Sequence, residues 1–541
     1  MTLTMATLHQ YVAIQRERLR KKARKNTAAF VALYRDFVPG PQQYEMAARC
    51  DNDLIGNQSD FWPRDHGKTE VFVVGYPLRR ICNDPNIRIL IVQKTGAEAA
   101  KSVGVIKTEL EENAQLRRDY AHHWQNTVGA SDIVNRAGMV DDKNGAWQTR
   151  RIYVKRTRKS KDPTVESVGV GGAVTGGHFD IIICDDILDD ENTRTPDRCQ
   201  KIIDWFFGTI FQLREPHTKT IVVGTLKTLL KNLYSELAAA QTWNVTVRSA
   251  LLSHHIDDID YTPVLEIVDG EEQVTGVEVH TPNIEVMWPE AWPIEALLLD
   301  MLGSPRRTWR REKLNDIQAM GERIFKRSFF RYYTLSNSPR YRRIVQSWDT
   351  AYKKTGDPSA LTEWGEASNG VYLRNVWSDR IEWPELSMSL ALFYYTAPIL
   401  PDVVLIEDKA SGQSAIQSWR GGKDREAWLI ELRNYRQAGG AKRVFVDMID
   451  KVLSMSLPRT VRLPVVAIKV GTDKSKEQRF EDASVWWSNG QVYHPESNDR
   501  QFTDFETELT TLAPNDDRAD SAAQAVQFIL AGRIKHQSGK I

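Results

Sequence analysis

The segment Pro63-Arg64-Asp65-His66-Gly67-Lys68-Thr69 ends in Gly-Lys-Thr. In a phosphate-binding loop the glycine lets the backbone close on phosphate, the lysine neutralises the β and γ oxygens, and the threonine hydroxyl reaches magnesium. The full pattern also asks for a glycine five residues before Gly67, where this chain has Trp62, so the tripeptide alone decides little. A second element gives it weight. Asp180-Ile181-Ile182-Ile183-Cys184-Asp185-Asp186 is an apolar strand ending in paired carboxylates. Asp185 at the strand tip could hold magnesium while Asp186 orients the attacking water. A third run, Ile221-Val222-Val223-Gly224-Thr225, ends in a small hydroxyl suited to sensing a γ-phosphate. Each element alone also fits an ordinary buried strand with a polar turn; together they point to a nucleotide.

A second acidic set lies in the last third. Asp349 closes an apolar run at 344–348, Glu407 closes another at 403–406, and Asp516-Asp517-Arg518-Ala519-Asp520 opens a helical stretch. Asp517 and Asp520, three apart, share one helical face. Converging carboxylates are costly without cations. Two magnesium or manganese ions roughly 4 Å apart would neutralise them and cleave a phosphodiester by metal-activated water. Which of Asp516, Asp517 and Asp520 completes the set stays open. Zinc fits poorly, since His122-His123 and His254-His255 lie far from these acids in sequence.

The elements that must position these residues follow from periodicity. Residues 1–40 read as a helical arm ended by Pro39-Gly40-Pro41. From 41 to 250, short apolar strands at 87–92, 152–154, 181–184 and 220–223 alternate with helices at 97–110 and 229–240, which predicts a parallel sheet flanked by helices. The strand expected before Lys68 is reduced to Phe61-Trp62. Residues 251–341, with Trp288-Pro289, Trp292-Pro293 and a basic helical piece at 306–313, read as a lid or linker. From 342 to 541 a new domain begins, with strands at 344–348, 360–365 and 371–376, the last two joined through Asn369-Gly370.

A chain of 541 residues needs more than one core. No apolar run approaches the roughly 20 residues that span a bilayer, and no secretory start is visible, so a cytoplasmic protein is expected. The cysteines Cys50, Cys82, Cys184 and Cys199 show no metal-binding spacing. Net charge is +1, which excludes a histone-like polycation. Local charge is more telling, with basic runs from Arg16 to Lys25 and at Arg150, Arg151, Lys155, Arg156, Arg158, Lys159 and Lys161. They become candidate phosphate contacts only in a chain that acts on DNA.

Over positions 40–535 these motifs resemble the large terminase subunits of tailed bacteriophages. Pro63–Thr69, the run from Gly176-Gly177-His178-Phe179 into Asp185-Asp186, and Val223-Gly224-Thr225 are similar to that family's Walker A, Walker B and coupling motifs. Gln346–Ala351, Ile406–Gly412, Asp516–Asp520, and the stretch from Asp473-Lys474 through Arg479 to Asn489-Gly490 are similar to its ribonuclease-H-like nuclease. The resemblance implies an α/β chain, with an N-terminal P-loop ATPase and a C-terminal mixed-sheet nuclease. It implies ATP with one magnesium, and two magnesium or manganese ions at the nuclease. Arg64 becomes a candidate arginine finger, and Arg64, Asp65, His66, Gly67, Lys68, Thr69, Asp185 and Thr225 a nucleotide set. Lys409, Lys474 and Arg479 become DNA contacts. Implied partners are duplex DNA, a procapsid portal, a small terminase subunit and further copies of the chain, in the host cytoplasm. Where the family has a catalytic glutamate this chain has Asp186, with Glu191 an alternative. A helicase-like nuclease of repair or restriction and a non-catalytic DNA-binding assembly protein are the competing readings.

Overall fold

A computed structural model describes residues 5–134, 149–174, 177–268, 271–351, 358–408, 410–438, 442–469, 476–512 and 516–538. By contact density the chain divides into two units. One comprises 1–262, 278–298 and 308–321; the other comprises 263–277, 299–307 and 322–541. Residues 251–341 contribute to both.

In the first unit, β1 (Asn57–Phe61), β2 (Ile89–Gln93), β3 (Arg151–Ile152), β4 (Val165–Gly169), β5 (Phe179–Asp185), β6 (Arg214–Gly224) and β7 (Asn244–Val247) form a seven-stranded sheet, ordered β3-β4-β2-β5-β6-β1-β7. All pairings are parallel except that of β3 with β4. Alternate residues of the central strands enter two different cores. Ile89, Ile91, Ile181 and Ile183 pack with Phe30, Phe72 and Ile106. Leu90, Val92, Ile182 and Cys184 pack with Ile202, Phe206 and Leu237. Helices on both faces explain why these strands read as continuous apolar runs.

Three local expectations need correction. The strand before Lys68 has five residues, and its sequence, Asn-Gln-Ser-Asp-Phe, is polar. It is held by parallel pairing with β6 and β7. Its buried Asp60 is paired with Arg49 at 3.2 Å and accepts from the Thr246 hydroxyl. The N-terminal arm is broken at Asn26, which caps helix Thr27–Tyr34 by accepting from the Ala29 amide. The helix expected at 229–240 is only Leu233–Ala239, started by Asn232.

Two strands follow in sequence, β8 (Tyr261–Val268) and β9 (Glu271–Val279). The second unit is built on β10 (Arg331–Tyr333), β11 (Arg343–Asp349), β12 (Ser359–Ala367), β13 (Gly370–Asp379) and β14 (Val403–Glu407). After a short pair, β15 (Lys423–Asp424) and β16 (Thr460–Val461), come β17 (Val465–Ile468) and β18 (Val492–Pro495). The main sheet is ordered β10-β18-β13-β12-β11-β14-β17. Its middle is the antiparallel meander β11-β12-β13, extended by β14 and β17 parallel to β11. The sheet is therefore mixed. Helix Asp517–Ser538 is bolted across it, because the Ser521 hydroxyl bonds the Ser347 carbonyl at 2.7 Å and the Thr362 hydroxyl at 2.8 Å. Among the described residues no helix is long and apolar enough to cross a membrane.

At the amino-terminal end of β5 and β6, Asp180, Glu215 and His217 have ligand atoms within 4.8 Å of one another. A guanidinium already serves them: Arg88 lies 2.7 Å from Asp180 and 2.6 Å from Glu215. Burial alone would raise the Asp180 carboxyl, but hydrogen bonds from Arg88 and His217 outweigh it and hold it below its ordinary 3.8. Its folded pKa is depressed, so this stabilisation is full above pH 3.8 and is lost as pH falls through the lower folded value. Arg88→Ala should lower unfolding free energy by about 3 kcal/mol at neutral pH, because part-buried carboxylates lose their cation. Urea denaturation checks this, and a change below about 0.5 kcal/mol would remove Arg88 from this role.

Candidate active sites

Parallel strands that start together end together. In register, Phe61 pairs with Gly224 and Asp185 with Val223, so the loop after β1, the Asp185-Asp186 pair and Thr225 emerge at one carboxyl edge. That edge is where α/β sheets bind ligands. Gly67 turns the loop with φ +77°, and a Cβ there would stand 2.6 Å from the Phe37 ring. Thr69–Gly75 then forms a wide π-type turn that continues into helix Tyr76–Asn83.

The buried Lys68 ammonium lies 2.6 Å from the Thr225 hydroxyl and 2.9 Å from Asp186 Oδ2. Thr225 in turn donates to the Trp62 carbonyl at 3.0 Å, and its amide donates to Asp186 Oδ1 at 3.2 Å. Thr69 and Gln93 both donate to Asp185 Oδ2, each at 3.0 Å, and Gln93 is oriented by Ser102 at 2.7 Å. Asp185 Oδ1 is buried and accepts no hydrogen bond. Burial and the neighbouring Asp186 push the Asp185 carboxyl up to about 7. An orphaned carboxylate oxygen beside a threonine hydroxyl is a donor set that fits a hard divalent cation. Asp186 itself has φ +45° and keeps 43% of its side chain exposed. Glu191, the alternative acid, is 82% exposed and lies 3.7 Å from Arg198.

The outer wall of the loop comes from a segment with no recognised motif. The His66 ring bonds the Arg64 carbonyl at 2.8 Å and stacks on Trp292 at 5.8 Å. Trp292 donates to the Asp65 carbonyl at 3.0 Å. Lys313 sits over the Trp292 ring at 3.7 Å and pairs with the Asp65 carboxylate at 3.1 Å. Glu312 accepts from Lys227 at 2.9 Å and lies 4.0 Å from Arg64, whose side chain is 65% exposed. Asn315 accepts from the Leu226 amide, directly after Thr225. The only signal in the sequence was a cation-rich helix, Arg306–Leu314, with Glu312 set among its basic residues. Of the glycines upstream of Asp185, Gly169 serves packing: a Cβ there would stand 2.3 Å from the Gly96 amide nitrogen.

In the second unit, Trp348 pairs with Ile406 across β11 and β14, which brings Asp349 and Glu407 to one sheet end. Helix Asp517–Ser538 delivers Asp517 and Asp520 in its first turn. Glu508 fixes that turn by accepting from the Ala519 amide at 2.9 Å and pairing with Arg518 at 3.0 Å. Burial, then the charges of Asp520, Asp517 and Glu407, push Asp349 up to about 8. No three of these carboxylates have atoms all within 4.8 Å of one another among the described residues. Like charges without a cation between them stand apart. Asp520 is held by Lys476 at 2.9 Å and Arg479 at 3.1 Å, and Lys476 also bonds Asp516. Lys476 was not anticipated. Lys409 and Lys474 lie outside the described residues.

By sequence, no protein-family profile and no curated protein matches the chain. Solved structures do. The ADP complex of the large terminase from a thermophilic bacteriophage is 10% identical, with 95% of this chain and 98% of that chain aligned, at a TM-score of 0.35. The manganese-soaked human cytomegalovirus terminase nuclease domain is 13% identical over 36% of this chain and 88% of its own, at 0.23. The magnesium-bound large terminase nuclease from the thermophilic phage G20c is 13% identical over 37% of this chain and 93% of its own, at 0.21. At such values the side-chain geometry has to carry the functional reading.

Burial lowers the His66 imidazole to about 4, so it is neutral at pH 7. The unfolded chain binds this proton more readily, at about 6.5. Stability should therefore fall as pH drops from about 6.5 to 4, by up to about 3 kcal/mol from this residue. Unfolding curves for His66→Asn across that window should be flatter than for the parent, and parallel curves would contradict the burial of a neutral ring.

Proposed function

We propose that the chain couples ATP hydrolysis to movement of duplex DNA and cleaves that DNA at a separate, metal-dependent site, as the large subunit of a phage terminase. The observation that carries this reading is the constellation at the carboxyl edge of the parallel sheet. Lys68 is clamped by Thr225 and Asp186, and Thr69 is bonded to a buried Asp185 that has one oxygen to spare.

In this reading Lys68, the Gly67 backbone and Thr225 receive the β and γ phosphates, with Asp65 and His66 shaping the loop. Thr69 and Asp185 hold one magnesium. When phosphate draws Lys68 away, Asp186 is released to orient water, and the exposed Arg64 can reach the γ-phosphate as an arginine finger within the same chain. Asp349, Glu407 and Asp517, with Asp520 in support, would hold two magnesium or manganese ions. The raised Asp349 carboxyl fits that role, since a cation would relieve the crowding that raises it. Bound metal would supply charge neutralisation at phosphate and, at the second site, an activated water. Lys409, Lys474 and Arg479 would contact the DNA backbone. A procapsid portal, a small terminase subunit and further copies of the chain would be the partners, in the host cytoplasm, with 251–341 acting as a lid.

Lys68→Ala should abolish ATP hydrolysis while manganese-dependent plasmid nicking persists; near-normal ATPase would overturn the phosphate-loop assignment. Arg64→Ala should slow turnover by roughly 10³-fold with nucleotide still bound, and an unaffected rate would place the finger elsewhere. Conversely, Asp349→Asn or Glu407→Gln should remove nicking and weaken manganese binding by calorimetry, leaving ATPase intact. Undiminished cleavage in either would sink the nuclease site.

A further inference from the structure

The loop between β3 and β4, on the first unit, lines a shallow, open cup of about 560 Å³. Its walls carry Lys155, Arg156, Arg158, Lys159 and Lys161, with Tyr153 and Val154 as their apolar backing. Among the described residues, none of these cations has a carboxylate within ion-pair distance. The nearest acid in sequence, Asp162, is turned to Arg88 at 3.6 Å and to the His178 amide at 3.5 Å. Glu166 is taken by Arg151.

A cluster of like charges normally relaxes by moving apart. Here the backbone prevents it. The Asn86 side-chain oxygen accepts from the Thr157 amide at 3.1 Å, the Thr157 hydroxyl at 3.2 Å and the Arg158 amide at 3.0 Å. Tyr153 donates to the Lys161 carbonyl at 3.3 Å, Val154 to Thr164, and Lys155 to Ile133. Arg156 lies 5.4 Å above the Tyr153 ring and donates through one amino group to the Asp162 carbonyl. Its other amino nitrogen is shielded from solvent and has no partner. A buried, unmatched guanidinium nitrogen costs about 1–3 kcal/mol, a cost that a phosphate oxygen reaching it would offset.

We infer that this cup is a binding surface for the sugar–phosphate backbone of duplex DNA, gripping it independently of sequence. The inference rests on the proposed action on duplex DNA and adds where on the motor unit the backbone is held. Phosphate fits better than an acidic peptide, because the lining carries five cations and only Val154 and Tyr153 for a peptide's apolar side chains.

The test is fluorescence anisotropy of a labelled duplex with the full-length chain over a salt series. Each phosphate contact removed should flatten the log affinity against log salt slope by about 0.9. The combined change Lys155→Gln, Arg158→Gln, Lys159→Gln should flatten it by about 2–3 and weaken binding by about 10- to 100-fold, equally for two unrelated duplexes. Lys159→Gln alone, which leaves every loop hydrogen bond in place, should flatten it by about 1. The charge-keeping set Lys155→Arg, Arg158→Lys, Lys159→Arg should retain slope and affinity. An unchanged slope in the glutamine variants, with the parent still binding, would overturn the site alone. Loss of polyglutamate binding with DNA binding intact would overturn it in favour of an acidic protein. A parent chain that binds no duplex overturns it too; ATPase and manganese-dependent nicking on the same preparation then decide whether the enzymatic reading falls with it.

Discussion

A carboxylate at the tip of a strand buried on both faces has little water of its own, and both halves of this chain are arranged around that difficulty. In the first sheet Asp185 ends β5 inside the core and is pushed towards neutrality by burial and by Asp186. In the second, Asp349 ends β11 and is pushed further by burial and three neighbouring carboxylates. Such groups are stable when a cation is near. Lys68 answers part of the first demand, and Lys476 with Arg479 answer part of the second through Asp520. What remains is an unmatched oxygen at Asp185 and the crowding of Asp520, Asp517 and Glu407 around Asp349. Those are electrostatic sinks for hard cations, created by strand burial.

What could be read from the sequence follows the same physics. Ile181 to Asp185 and Ile221 to Thr225 were legible because doubly covered strands are uniformly apolar and their polar termini stand out. Glu407 was legible for that reason too; Asp349 less so, since Gln346 and Ser347 interrupt its strand, and Asp517 and Asp520 were legible from their three-residue spacing. β1 was not, since Asn57 to Asp60 lacks every apolar cue and owes its place to pairing on both sides. Asp60 needs Thr246 and Arg49, which are remote in sequence. Nothing local advertises such compensation.

The segment around Lys313 was hidden for a different reason. A helix rich in arginine and lysine reads as a solvated face. Here its cations are consumed by neighbours: Lys313 by Asp65 and the Trp292 ring, Arg311 by the remote Asp190 and the adjacent Glu312. The consequence is a second, mostly ionic wall against the phosphate loop. It touches the loop at Asp65 and the segment after β6 at Leu226, so both are tied to the same short stretch.

The contacts already made inside the loop bear on how the proposed nucleotide would enter. Lys68 and Thr225 are already bonded to each other, and Asp186 is neutralised by the same ammonium. In the proposed reading, a γ-phosphate that draws Lys68 away breaks that pair and would uncover Asp186 when a water beside the phosphate needs a carboxylate to orient it. Thr225 loses its contact with Lys68 in the same exchange, and the adjacent Leu226 amide is held by Asn315. In the proposed reading the acid that would activate water is therefore masked by the cation that would bind phosphate, so hydrolytic competence would follow from occupancy of the site.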